Sequence, residues 1–303
     1  MPHDAVIEQH TTVRAPGDLR TLESGLDALQ SHSTVVAPRW RRFLSGVLPP
    51  VMLLALLITA WQVFTVIAHP RADLYPGPSA VIGSLGAAWQ TGQLPLAIGT
   101  SLQRGLIGFL IAVAIGTPLG LVLAEIRVLR RALGPLISGL QVLPSVAWVP
   151  AAIIWFGLSD ATVYFVVLMG AVPSIVNGLL AGVDHVPPQL TRAGTILGAS
   201  RLQLALRIVL PASMPGYFAG LKQGWAFSWR SLMAAEIIAT GGSIGFGLGE
   251  LLQQGRALAH LGGVLSTIIT ILAIGILVEV VFFAPIERRL LRGRGLVPAG
   301  ETR

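Results

Sequence analysis

Apolar runs of about twenty residues recur along this chain, separated by short basic or Gly/Pro-rich breaks. A helix rises about 1.5 Å per residue, so each run matches the ~30 Å hydrocarbon core of a bilayer. Such runs restrict the fold sharply. In lipid every backbone N–H and C=O must be paired within the segment, which leaves helices, or a closed barrel whose strands would alternate in polarity. These runs do not alternate. The composition agrees, with 53% hydrophobic and 12% charged residues over 303 positions, too little charge to cover a soluble domain of that length. The pattern predicts an all-α polytopic membrane protein with six spanning helices, at 47–68, 103–125, 132–157, 160–182, 214–239 and 261–285. Residues 1–43 read as a flexible tail in which Leu19, Leu22, Leu26 and Leu29 form one short amphipathic helix. Residues 44–292 form the transmembrane domain and 293–303 a second tail. The first apolar run starts too late and is too long to be a cleaved signal peptide.

Basic residues set the expected orientation. Arg39, Arg41 and Arg42 precede the first span, Arg127, Arg130 and Arg131 follow the second, and Arg288, Arg289, Arg292 and Arg294 follow the last. The loop after the fourth span carries Arg192, Arg201 and Arg207, whereas the other side holds only Arg71 and Arg256. By the positive-inside rule both termini and the loop at 184–211 face the cytoplasm. The expected location is the bacterial cytoplasmic (inner) membrane. The net charge of +7 is spread around spans instead of collecting on a polar domain, which argues against nucleic-acid binding. With no Cys there are no disulfides and no thiolate metal sites.

Within the spans, Gly108, Ala112, Gly116 and Gly120 make a stripe of small residues suited to close helix packing. Pro144 and Pro150 predict one kinked third span with Pro144 near mid-membrane, where freed backbone groups either line a pathway or only serve packing. Ionisable residues in lipid need a partner or a cavity. Trp225, Trp229, Leu232 and Glu236 share one helix face, and Arg104 lies at the depth of Glu236. Lys222 and Glu279 also match in depth. Arg230 has no acid at its own depth, so it either faces a pathway that carries anions or serves packing or snorkels to the surface. Pro144, Trp229, Arg230 and Glu236 are the candidate translocation residues.

The loop from Pro187 to Pro211 is the least apolar part of the spanning region. Prolines suit a helix start, Leu190, Ala193 and Leu197 follow at helical spacing, Gly198 ends the helix, and Ser200 can cap a second one that Pro211 closes. This elbow resembles the EAA loop of ABC-importer permeases, a motif of E-A-A, three residues, Gly, nine residues and I-x-L-P. Ala193, Gly198, Ile208, Leu210 and Pro211 stand at matching positions, while Arg192 and Gly194 replace the usual Glu and second Ala. The resemblance extends from Tyr75 to Leu291 to the permeases for sulfonate, taurine and nitrate. It runs through YPGPSAV (Tyr75–Val81), SLQRGLIGF (Ser101–Phe109) and LPSVAWVPAAIIWFGLS (Leu143–Ser159). It continues in WRSLMAAE (Trp229–Glu236), GFGLG (Gly245–Gly249) and IERRLL (Ile286–Leu291).

That resemblance implies a type I ABC-importer permease fold whose 184–211 loop is a coupling helix docked on an ATPase. It also implies a homodimer of permeases, two cytoplasmic ATPase subunits that bind ATP and Mg, and an extracytoplasmic substrate-binding protein. The chain has no G-x-x-x-x-G-K-[ST] and builds no P-loop, so ATP hydrolysis would belong to the partners. Gly245, Gly247 and Gly249 read as a turn before a helix at 250–260. The six His residues are scattered and point to no metal site. An ion-gradient-driven secondary transporter is the alternative; it calls for internal repeats and a midplane ion relay, and neither is evident. A scaffold or membrane enzyme finds no catalytic cluster.

Overall fold

The computed structural model describes residues 39–69, 71, 74–242 and 244–293. The amphipathic helix expected at 19–29 and most of both expected tails lie outside these residues. Contacts divide the chain into a first unit ending at Ala60 and a second beginning at Trp61. In the first, helix α1 (Arg39–Ala68) starts, and its Val51–Ala60 stretch is exposed on every side. A helix apolar all round and uncovered is what lipid, not water, accommodates.

The second unit is built of helices joined by turns, with no strand among its described residues. It holds α2 (Pro78–Gln90), α3 (Gln93–Glu125), α4 (Arg127–Val142), α5 (Val149–Phe156), α6 (Asp160–Asp184) and α7 (Pro188–Ile196). There follow α8 (Arg201–Ile238), α9 (Leu248–Ala257) and α10 (Leu261–Arg292). Five described helices are long and apolar enough to cross a membrane, and a sixth crossing exists if α4 and the segment Ser145–Phe156 count as one. The first turn of α3 lies ten residues before the expected start of the second span, because Gly92, at φ +76°, turns the chain directly out of α2.

Helix α6 is the centre of the second unit and packs on α3 and α8. Small residues set these distances. Gly108, Gly116 and Gly120 of α3 lie against Val167, Ile175 and Leu179 of α6, so the stripe expected from sequence is the α3–α6 seam. The α6–α8 seam is tighter. A Cβ on Gly178 would strike the Gly220 backbone, and one on Gly182 would strike Ser213 and Tyr217. The two helices touch backbone to backbone, a contact only glycine permits.

Two expectations about proline are corrected. The third span is no kinked helix over 132–157. It breaks by 98° between α4 and Ser145–Phe156. Leu143 precedes a proline and is driven to extended geometry (ψ 124°), Pro144 is extended too (ψ 123°), and Ser145–Trp148 forms a 3₁₀ turn. Pro150 sits in the first turn of α5, where a missing N–H costs nothing. Nor does Pro211 end a helix; α8 runs straight through it. A π-helical segment, Ala205–Val209, lies just ahead, and the Leu210 N–H donates to the Ala205 carbonyl. A proline ring collides with the carbonyl four residues back. Widening the preceding turn moves that carbonyl aside. The same device recurs in α10, where the π segment Glu279–Phe283 precedes Pro285.

Candidate functional site

The elbow between α7 and α8 is built from two back-to-back caps. Gly198, at φ +78°, stands just past the end of α7. The Gly198 N–H donates to the Thr195 carbonyl and the Ala199 N–H to that of Gly194, both at 3.0 Å. These are the paired bonds of a Schellman ending, and only glycine takes the left-handed turn without strain. Ser200 then opens α8 with a reciprocal capping box. Its hydroxyl accepts from the Gln203 N–H at 3.3 Å, and its own N–H donates to Gln203 Oε1 at 2.9 Å. The turn is therefore rigid.

Gly194 is buried, facing Ile208 and Leu204 of α8. The alanine usual in the resembling motif would push its methyl into both side chains. Arg192 and Ala193 are exposed, Ile208 and Leu210 half-buried, and Pro211 exposed. The outer face of the elbow is apolar and uncovered, with Ile196 and Leu197 each 85% exposed and Leu190 and Leu202 beside them. Arg192, Arg201 and Arg207 of the same stretch are exposed too. No acid occurs between Val186 and Leu210.

The other four candidates separate into two places. Pro144 and Arg230 line one cavity of about 270 Å³, with Gln141, Ser145 and Phe227. Trp229 and Glu236 lie on the buried face of α8. Trp229 stacks on Trp225 at 6.2 Å and donates its indole N–H to the Ile271 carbonyl of α10 at 3.3 Å.

Glu236 is the hub of a charge network at the far end of α8 from the elbow. It is 1% exposed. Its carboxylate accepts from Ser101 Oγ at 2.8 Å, from Arg104 Nη1 at 3.2 Å and from the Gly249 N–H at 3.0 Å. Arg104 Nε in turn donates to Asp160 Oδ1, and its Nη1 to the Gly245 carbonyl, both at 2.9 Å. The glycine-rich turn before α9 thus cradles an anion, and that anion is the protein's own carboxylate. A helix N-terminus with free N–H groups favours negative charge. Any Cβ on Gly247 or Gly249 would collide with Glu236. Depth matching finds the Arg104–Glu236 pair but passes over Ser101, Asp160 and the α9 N-terminus. Ser101 carries no charge, and Asp160 reads as a span boundary; the signal that points to the site is the glycine spacing at 245–249.

Further ion pairs tie helices together. Lys222 of α8 meets Glu279 at 2.6 Å, as depth matching expects, and also Glu287 at 3.1 Å, both on α10. Arg130 of α4 forms a two-point pair with Asp184 of α6.

Residues 116–291 match the family described as binding-protein-dependent transport system inner membrane component, and so cover more than half of the chain. The chain is a permease of that family. The bicarbonate transport system permease protein CmpB of Synechococcus elongatus is 30% identical to it over 273 residues, covering 84% of this chain and 93% of CmpB. The nitrate import permease protein NrtB of the same organism is 28% identical over 218 residues, 69% of this chain and 77% of NrtB. Among solved structures, the MetNI methionine ABC transporter in an inward-facing conformation superposes with a TM-score of 0.57. That match covers 65% of this permease and 96% of the matched chain at 16% identity. It gives the permease the type I ABC-importer architecture. Membership in the family carries with it the general plan of an ABC importer, in which membrane subunits pair with ATPases and a binding protein.

Proposed function

We propose that this permease works as a homodimer bound by two cytoplasmic ATPases and supplied by an extracytoplasmic binding protein, and that it imports a small anion. Nitrate, bicarbonate, taurine and aliphatic sulfonates are the candidate solutes. Identity to CmpB and NrtB supports the first two; the resemblance in sequence to sulfonate and taurine permeases supports the others. Both termini and the elbow face the cytoplasm in this reading, on the strength of the arginine asymmetry. ATP and Mg bind to the partner subunits.

The observation that carries the reading is the uncovered apolar elbow, in a stretch that also exposes Arg192, Arg201 and Arg207. Ile196 and Leu197 at 85% exposure on a doubly capped, acid-free turn form a surface made to be covered by another protein. Closure of the ATPases would move the elbow as a unit, and the continuous helix α8 would carry that motion past the proline into the membrane. Replacing Leu197 by Asp tests this. Burying a leucine contributes about 1.5–3 kcal/mol, so its loss weakens ATPase docking by roughly 10- to 150-fold. Copurification of the ATPase should collapse while the permease itself keeps its thermal stability. Undiminished copurification, or solute uptake by the permease without nucleotide, overturns the proposal.

A further inference from the structure

Three groups of charges in the described spans are paired. Arg104 meets Asp160 and Glu236, Lys222 meets Glu279 and Glu287, and Arg130 meets Asp184. Arg230, well away from the ends of α8, makes no ion pair among the described residues. It lies eight residues before the end of α8, about 12 Å along the axis, so it is well inside the membrane-crossing length. It does not reach back to that nearer end. Its Nε donates to the Ala226 carbonyl at 3.3 Å, and its guanidinium sits 4.5 Å from the Phe227 ring centre. Both anchors lie toward the elbow, so the side chain points away from the nearer surface. Holding a bare guanidinium there is costly in lipid.

The space in front of it is shaped for a counter-charge. The 98° break after α4 leaves a hollow of about 270 Å³ between Val142–Val146 and the Phe227–Ala234 face of α8. Its lining includes Arg230 and no carboxylate. Gln141 is oriented by Asn177, whose amide N–H donates to Gln141 Oε1 at 2.5 Å. That bond uses one lone pair of the Gln141 oxygen and leaves its NH₂ group free to donate. Ser145 and Ser231 share a 2.6 Å hydrogen bond that fixes the break against α8. Guanidinium and amide N–H groups are all donors. The site therefore suits an oxyanion of a few heavy atoms and repels cations.

We infer that Arg230 and Gln141, at the break between α4 and α5, form a small-oxyanion binding site in the membrane segment of the permease. This deepens the importer reading and rests on it. A passing nitrate, bicarbonate or short alkanesulfonate supplies the negative charge that the protein omits. A charge-assisted hydrogen bond contributes about 1.5–3 kcal/mol, so loss of Arg230 weakens anion binding in the hollow about tenfold or more.

The chain has no cysteine, so Val146→Cys at the rim of the hollow gives it a single thiol. In the complete transporter, labelling by an uncharged maleimide is timed with nitrate, bicarbonate or methanesulfonate present, and with gluconate as a bulky control. The inferred site predicts slower labelling with at least one of the three small anions, no slowing when Arg230→Gln is added, and partial recovery with Arg230→Lys. If Arg230→Gln prevents assembly, Arg230→Lys and Gln141→Leu serve in its place, and each should lower the protection. Unprotected labelling in a transporter that imports one of these anions overturns the site alone. So does protection indifferent to Arg230. A transporter that imports none of the three and shows no protection overturns the small-anion reading together with the site.

Discussion

Glu236→Gln is the sharpest probe of what holds this permease together, because it removes one charge and almost no volume. The carboxylate is 1% exposed and faces three donors: Ser101 Oγ, Arg104 Nη1 and the Gly249 N–H. An amide has one acceptor oxygen and turns its NH₂ group toward at least one of those donors. Removing one partner of a buried pair costs about 3–5 kcal/mol, mostly through the charge left behind. Arg104 keeps Asp160 and the Gly245 carbonyl, and the amide keeps one acceptor, so the low end applies, about 3 kcal/mol. For a domain of this size, 1 kcal/mol moves the midpoint by about 2–4 °C, which puts the fall near 6–12 °C. Thermal unfolding of the purified permease in detergent measures it. Arg104→Met in the Glu236→Gln background removes the second charge, so the double variant should fall by less than the sum of the two single changes, with coupling of about 1 kcal/mol or more. A midpoint for Glu236→Gln within 2 °C of the parent, roughly 1 kcal/mol or less, would refute the view that the carboxylate pins the α9 turn to α3 and α8.

The remaining predictions concern seams and surface. Gly178→Val places its side chain into the Gly220 backbone and should abolish stable α6–α8 packing, seen as loss of folded material by size-exclusion chromatography, whereas Gly139→Ala, with open space at its Cβ, should leave the yield unchanged. Ser200→Ala removes the cap of α8 and should cost about 1 kcal/mol, with faster hydrogen exchange confined to the elbow. Arg130→Ala breaks an exposed pair with Asp184 and should cost no more than about 1 kcal/mol, an effect that shrinks in high salt.

The sequence by itself determined the solvent. Long apolar runs with arginine at their ends admit only a helical membrane protein, and that conclusion needs no contact between distant residues. Local chemistry also determined the elbow. A left-handed Gly198 and a capping Ser200 act within a few residues of themselves, so reading them in one dimension suffices. The Gly108–Gly120 stripe announced a close seam for the same reason, since the spacing of small residues is a property of a single helix.

Tertiary structure decided where the spacing of one helix is silent. A proline says that its own N–H is missing; it does not say whether the chain will break, as at Pro144, or widen into a π turn and continue, as at Pro211. Neighbouring helices decide, because only they can hold the 98° bend or keep the straightened α8 in register. The depth of a charge along a span likewise narrows its partners without choosing them. Arg104 lies level with Glu236, and Ser101 stands one turn from it on α3, but Asp160 and the α9 N-terminus reach the same point from two other stretches of chain only after the bundle forms. Trp229, Arg230 and Glu236 are near neighbours in sequence, yet they part company in space. The turn of α8 sends Trp229 and Glu236 inward and leaves Arg230 facing the hollow beside Pro144.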